Sequence, residues 1–92
     1  HDVVDLTVEG PAVERELAMV KCVATGEKRV ESLRIADIFR ARAVDSSHNS
    51  FVFEITGSTD KIDSFIDLMR PLGLAEISRT GVVAMVRGTK PT

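Results

Sequence analysis

At Gly57 the spacing of hydrophobic residues changes from alternation to helical spacing, and this switch restricts the fold more than any other feature of the chain. Before it, Phe51, Phe53 and Ile55 alternate with Val52, Glu54 and Thr56, as side chains on opposite faces of a strand do. After it, Ile62, Phe65, Ile66 and Met69 fall at i, i+3, i+4 and i+7, the stripe that an amphipathic helix buries. Gly57 ends the strand, Ser58 or Thr59 offers an N-cap oxygen, and Asp60 brings negative charge to the first turn. Pro71 and Gly73 stop the helix.

The same succession occurs earlier in the chain. Residues 13–24 read as a strand, with Leu17, Met19 and Val23 on one face and Ala18, Val20, Cys22 and Ala24 on the other. Thr25-Gly26 breaks it, and Glu27 stands where a helix start favours an acid. Across residues 27–42, Val30, Leu33, Ile35, Ala36, Ile38 and Phe39 form the apolar side of a predicted helix. A short strand at 43–45 leads into hairpin-loop chemistry, Ser46-Ser47-His48-Asn49. Residues 74–80 and 82–87 make a last extended region, with Gly81 as a bulge or bend. The order β-α-β-β-α-β predicts an α+β, ferredoxin-like two-layer sandwich, a four-stranded antiparallel sheet with two helices on one face. The domain spans 13–88. Residues 1–12 read as an extended arm punctuated by Gly10-Pro11, and residues 89–92 as a tail.

Ninety-two residues provide one hydrophobic core, and its only aromatics are four Phe, so Val, Ile, Leu, Met and Ala must fill most of it. Net charge is −2, with 12 basic and 14 acidic residues and no basic run. Nucleic-acid binding lacks its usual electrostatic drive, and no Trp or Tyr is present for base stacking. No apolar stretch approaches the ~20 residues of a membrane span. A single cysteine, Cys22, cannot form an internal disulfide, which fits a cytoplasmic setting or an organelle's soluble interior. The chain begins at His1 rather than Met and lacks a signal pattern, as a piece of a longer protein or a processed product would.

With both helices on one face, the sheet's other face is bare. Strands with one wet face should alternate cleanly, yet the first strand and Val82-Val83-Ala84-Met85-Val86 are apolar on both sides. Burying four or five such side chains contributes on the order of several kcal/mol at ~25 cal/mol per Å2. A second copy or another protein is the expected cover, around Val20, Val83 and Met85. The amino-terminal arm is an alternative cover.

Chemistry is sparse. His48 sits in a polar loop and His1 at a terminus, without metal-ligand spacing around either. Cys22, mid-strand, reads as a small buried hydrophobe. Ser46, Ser47 and Ser58 have no adjacent base, and Gly57-Ser58-Thr59-Asp60-Lys61 lacks phosphate-loop spacing, so helix capping explains it better. Glu14 and Glu16 share a strand face opposite Arg15 and read as surface or interface charge. Arg79-Thr80-Gly81 stays open: Arg79 either projects from a bend towards an anionic group or a partner's carboxylate, or is solvated beside a strand bulge.

Val13-Glu14-Arg15-Glu16-Leu17-Ala18-Met19-Val20-Lys21 resembles the V-x-R-E-L-x-L-x-K strand of acetolactate synthase small subunits, with Met19 in the second Leu position. Asp5-Leu6-Thr7 upstream is similar to that family's D-L-T segment. Ala36-Asp37-Ile38-Phe39-Arg40, Glu54-Ile55-Thr56-Gly57, Asp60-Lys61-Ile62-Asp63, Arg70-Pro71-Leu72-Gly73, Arg79-Thr80-Gly81 and Arg87-Gly88 continue the likeness in register. Each piece is weak alone, but the series is specific and covers nearly the whole chain.

The resemblance implies the ACT-like carboxy-terminal domain of a regulatory subunit that has no catalytic residue of its own. It would bind and activate the large catalytic subunit and relay feedback inhibition by branched-chain amino acids. Thiamine diphosphate, magnesium and FAD would belong to that catalytic partner, and no cofactor or metal to this chain. The effector site would lie on an amino-terminal ACT domain that this sequence does not include, so no effector residue carries over. A homodimer is expected, with Arg15, Glu16, Val20, Lys21, Arg79, Val83, Met85 and Arg87 as interface candidates. The alternatives are a stand-alone ACT-like domain that senses a small ligand at a dimer interface, and an enzyme of this fold, for which the chain offers almost no reactive side chains.

Overall fold

A computed structural model describes residues 10–88; the expected tail and all but the end of the expected arm lie outside them. The elements are β1 (Ala12–Val23), α1 (Gly26–Ile38), β2 (Arg42–Ser46), β3 (Ser50–Gly57), α2 (Thr59–Met69), a 3-10 turn (Arg70–Leu72), β4 (Leu74–Arg79) and β5 (Val83–Val86). The antiparallel sheet runs β2-β3-β1-β4, with β5 also paired to β1. The predicted ferredoxin-like order is present, with its last extended region divided into two strands at Gly81, whose φ is +89°. β1 begins at Ala12, which pairs with Val86 at the end of β5.

α2 forms as its sequence dictates. The Ser58 side chain accepts the Lys61 N–H at 3.2 Å, and Ile62, Phe65, Ile66 and Met69 are all buried. α1 departs from expectation. The periodicity predicts a helix to residue 42, but it ends at Ile38 in a Schellman closure. The Arg40 N–H donates to the Asp37 carbonyl and the Ala41 N–H to that of Ala36, with Arg40 at φ +58°. Glycine normally holds that left-handed position, so the stop carries no glycine signal in the sequence.

The buried side of α1 also differs. Ser32, Ile35 and Ala36 are buried and Phe39 packs partly against them, while Val30, Leu33 and Ile38 are exposed. A serine takes a core position because its hydroxyl donates to the Arg29 carbonyl at 2.8 Å, which removes the cost of burying it.

The core lies between the helices and the inner face of β1 and β3. Ala18, Val20 and Cys22 from β1 and Phe51, Phe53 and Ile55 from β3 meet Ile62, Phe65, Ile66 and Met69. Phe65 packs against both Phe39 and Phe53, at ring separations of 5.5 and 6.2 Å. Cys22 is fully buried and its thiol donates to the Leu72 carbonyl at 3.3 Å; burial pushes its pKa up. It is the packed small hydrophobe expected from the sequence. Gly73, at φ +109°, is required by close approach, since a Cβ there would lie 2.0 Å from the Val23 carbonyl oxygen.

Candidate interaction surface

β1 has 12 residues, roughly 40 Å at ~3.3 Å per residue, and it is longer than the sandwich it belongs to. Its carboxy-terminal part lies between β3, which pairs with residues 16–23, and β4, which pairs with 18–22. Its amino-terminal part, Ala12–Arg15, pairs with β5 alone, because β3 ends at Gly57 opposite Glu16. The sheet therefore continues beyond its helical cover as a two-stranded ribbon, and the described residues measure 50 × 25 × 18 Å.

The register sorts side chains to faces. Glu16, Ala18, Val20 and Cys22 point towards the helices; Leu17, Met19, Lys21 and Val23 point to the open face. This corrects the expected position of Val20, which is fully buried in the core. Strand faces alternate strictly, so a surface assignment one residue out places the side chain on the wrong side of the sheet. Val83 pairs with Arg15 and Met85 with Val13, so both lie on the open face, 70% and 77% exposed. Met85, Val83, Leu17, Met19, Val52 and Val23 thus form one apolar stripe along β1. It runs from the ribbon tip to the far end of the strand.

Charges on this face are paired across strands. Lys21 meets Glu76 at 3.1 Å and Arg42 meets Glu54 at 3.3 Å. Between them, Met19, Lys21, Val52, Glu76 and Ser78 line a shallow hollow of about 260 Å3. Arg15 donates from Nη1 to the Glu14 carbonyl at 2.7 Å. At the ribbon's end, the Arg87 N–H donates to the Pro11 carbonyl at 3.0 Å.

Where the ribbon leaves the sandwich, Arg79 is clamped. Its Nε and Nη2 donate to the two Glu16 oxygens at 3.1 and 2.8 Å, and its Nη1 to Asp63 of α2 at 2.7 Å. The Gly81 N–H adds a bond to Glu16 at 3.3 Å, using the backbone turn that the glycine makes. Arg79 hydrogen bonding holds the Glu16 carboxyl below the ordinary 4.5, against the opposing push of burial; the Arg79 charge and the Gly81 N–H add to the lowering. Two carboxylates in turn raise the already high guanidinium pKa. The two readings of Arg79 left open by the sequence resolve into a third. Its anionic partners are Glu16 and Asp63 of its own chain, and it fixes the base of the ribbon. Sequence reasoning missed Asp63 because α2 brings it to Arg79 only through the fold.

Among the described residues, no three His, Cys, Asp or Glu side chains are grouped to hold a metal ion. None of their helices is long and apolar enough to cross a membrane. His48 lies exposed in the β2–β3 turn. The chemistry available on the open face is apolar contact along a stripe, bordered by charges already neutralised in pairs.

Comparison with known proteins agrees with this architecture. A family model described as "Small subunit of acetolactate synthase" matches residues 15–88. A probable acetolactate synthase small subunit of Archaeoglobus fulgidus is 54% identical over 79 residues, covering 86% of this chain and 50% of that protein. The acetolactate synthase small subunit of Aquifex aeolicus is 48% identical, covering 90% of this chain and 43% of the relative. The crystal structure of the small subunit from Thermotoga maritima superimposes with a TM-score of 0.80 at 37% identity, covering 91% of this chain and 52% of that one. The chain spans about half the length of the relatives it matches.

Proposed function

We propose, from the premise that this chain belongs to the family of acetolactate synthase small subunits, that it is the domain through which such a subunit engages other polypeptides. Its role is regulatory. It docks on the large catalytic subunit, raises that subunit's activity and relays feedback inhibition by branched-chain amino acids. Thiamine diphosphate, magnesium and FAD belong to the catalytic partner. The domain self-associates as a homodimer, binds neither nucleic acid nor membrane, and works in the cytoplasm or an organelle's soluble interior.

The observation that carries this reading is the family match across residues 15–88, joined to a fold whose surface is arranged for contact. An effector bound elsewhere in a longer subunit shifts the catalytic partner only if the intervening domain makes different contacts in two states. A long strand anchored in a packed core and extending into an exposed ribbon gives such contacts a place to form. The test is co-purification and activity. A full-length small subunit carrying this domain should bind the large subunit and raise its rate, and the same subunit lacking residues 10–88 should do neither. Equal activation with and without the domain would overturn the proposal.

A further inference from the structure

The outer face of α1 carries aliphatic side chains and an unpaired cation that the domain itself does not use. At about 100° per residue, Leu33 lies about 60° to one side of Val30 and Ile38 about 80° to the other. Ser32, Ile35 and Ala36 occupy the far, buried side. Val30, Leu33 and Ile38 are 66%, 43% and 51% exposed. The Arg34 guanidinium, within the same arc, is neutralised by Glu31.

Arg40, just past the end of this helix, supplies a second observation. Its φ of +58° is a conformation that glycine holds with less strain. Among the described residues, its exposed side chain makes no hydrogen bond or ion pair. The chain keeps a cation where local stability favours its removal, as expected of a side chain retained for contact rather than for folding.

We propose that the outer face of α1 is where the large catalytic subunit docks, an inference that rests on the docking role proposed above. Val30, flanked by Leu33 and Ile38, enters an apolar groove on that subunit, and a carboxylate at the groove's end receives Arg40. Three features select this occupant. A second copy covering the open face lies across the sheet from α1, so a homodimer leaves both α1 surfaces pointing outward. Polypeptide upstream of Gly10 joins at the ribbon end of β1. α1 starts three residues after the opposite end of that strand and returns about 20 Å, half the length of β1, so it covers the half remote from Gly10. Charge is the third feature. On the open face, Lys21 is matched by Glu76 and Arg42 by Glu54. Arg40 is left to be matched by an acid from outside, at the polar rim of an apolar contact. Asp37, also exposed and unpaired among the described residues, calls for a basic group beside it.

The test uses the full-length small subunit carrying this domain, with Val30→Asp and Arg40→Gly as single variants. Both should keep the wild-type circular dichroism and sedimentation, and Arg40→Gly should unfold at a higher urea concentration because it relieves the backbone. Each should bind the large subunit about tenfold or more weakly. For Arg40→Gly the salt dependence of binding should also flatten. If both variants bind as the wild type does while removal of residues 10–88 abolishes binding, this face is overturned and the docking role stands. If that removal has no effect either, both fall. Altered sedimentation, or a urea midpoint for Val30→Asp lower by more than about 0.5 M before the large subunit is added, would assign the face to a second copy or to the rest of the small subunit, and would overturn the proposal.

Discussion

Replacing Gly73 with alanine tests whether the end of β1 and the start of β4 are held together by backbone proximity. The residue sits at φ +109°, ψ 27°, where an L side chain is strained by about 1–3 kcal/mol. The new Cβ would also lie 2.0 Å from the Val23 oxygen and 3.0 Å from its carbonyl carbon. Backbone atoms cannot turn aside as a flexible side chain can, so β1 and the Gly73 turn must separate. That movement weakens the Val23 N–H to Gly73 carbonyl bond, now 2.8 Å, worth about 1 kcal/mol. Together these terms predict a loss of about 3 kcal/mol, against a total of about 5–14 kcal/mol for a chain of this length. With a urea slope of about 1 kcal/mol per molar, the unfolding midpoint should fall by about 3 M. Urea titration followed by circular dichroism measures it. A fall smaller than about 0.5 M would mean that the turn yields freely and that close approach does not fix this glycine.

Two further perturbations probe the core and the clamp. Phe65→Ala should cost about 3–5 kcal/mol in the same titration, because it leaves a cavity and removes ring contacts with both Phe39 and Phe53. Glu16→Gln bears on pH. The Glu16 carboxyl is held below 4.5 in the folded chain, so its stabilising effect is fully present above that value and fades as pH falls through the lowered one. The wild type should therefore lose its advantage over the variant as the pH of thermal melts is lowered from 7 to below 4.5; a constant difference would refute the clamp.

Much of the fold was legible because hydrophobic spacing and cap residues agreed. The switch at Gly57, the Ser58 cap, the α2 stripe and the bend at Gly81 all appear where the residues place them. The end of α1 was hidden because Arg40 holds a position usually given to glycine. The inner face of α1 was misread because Ser32 is buried and three aliphatic residues are not. On β1 both faces are apolar, so composition alone gives no sign of which one meets the helices. The register against β3 and β4 decides it, and it moves Val20 into the core and brings Leu17 and Met19 out. The Arg79 clamp joins residues from three separate elements. Its glycine bend could be read in advance, but not its acidic partners.

The placing of β1 at the centre of the sheet also governs how the chain reaches its native state. The first strand to be made receives its neighbours last; the Leu17–Thr80 hydrogen bonds span 63 residues. Entropy lost in closing such wide loops precedes any gain from the ladder, so folding should be slow for so small a molecule, in the millisecond-to-second range of chains dominated by distant pairings. Until β4 and β5 arrive, one edge of β1 remains unpaired, and that is the interval in which a nascent subunit is most exposed to joining the wrong neighbour.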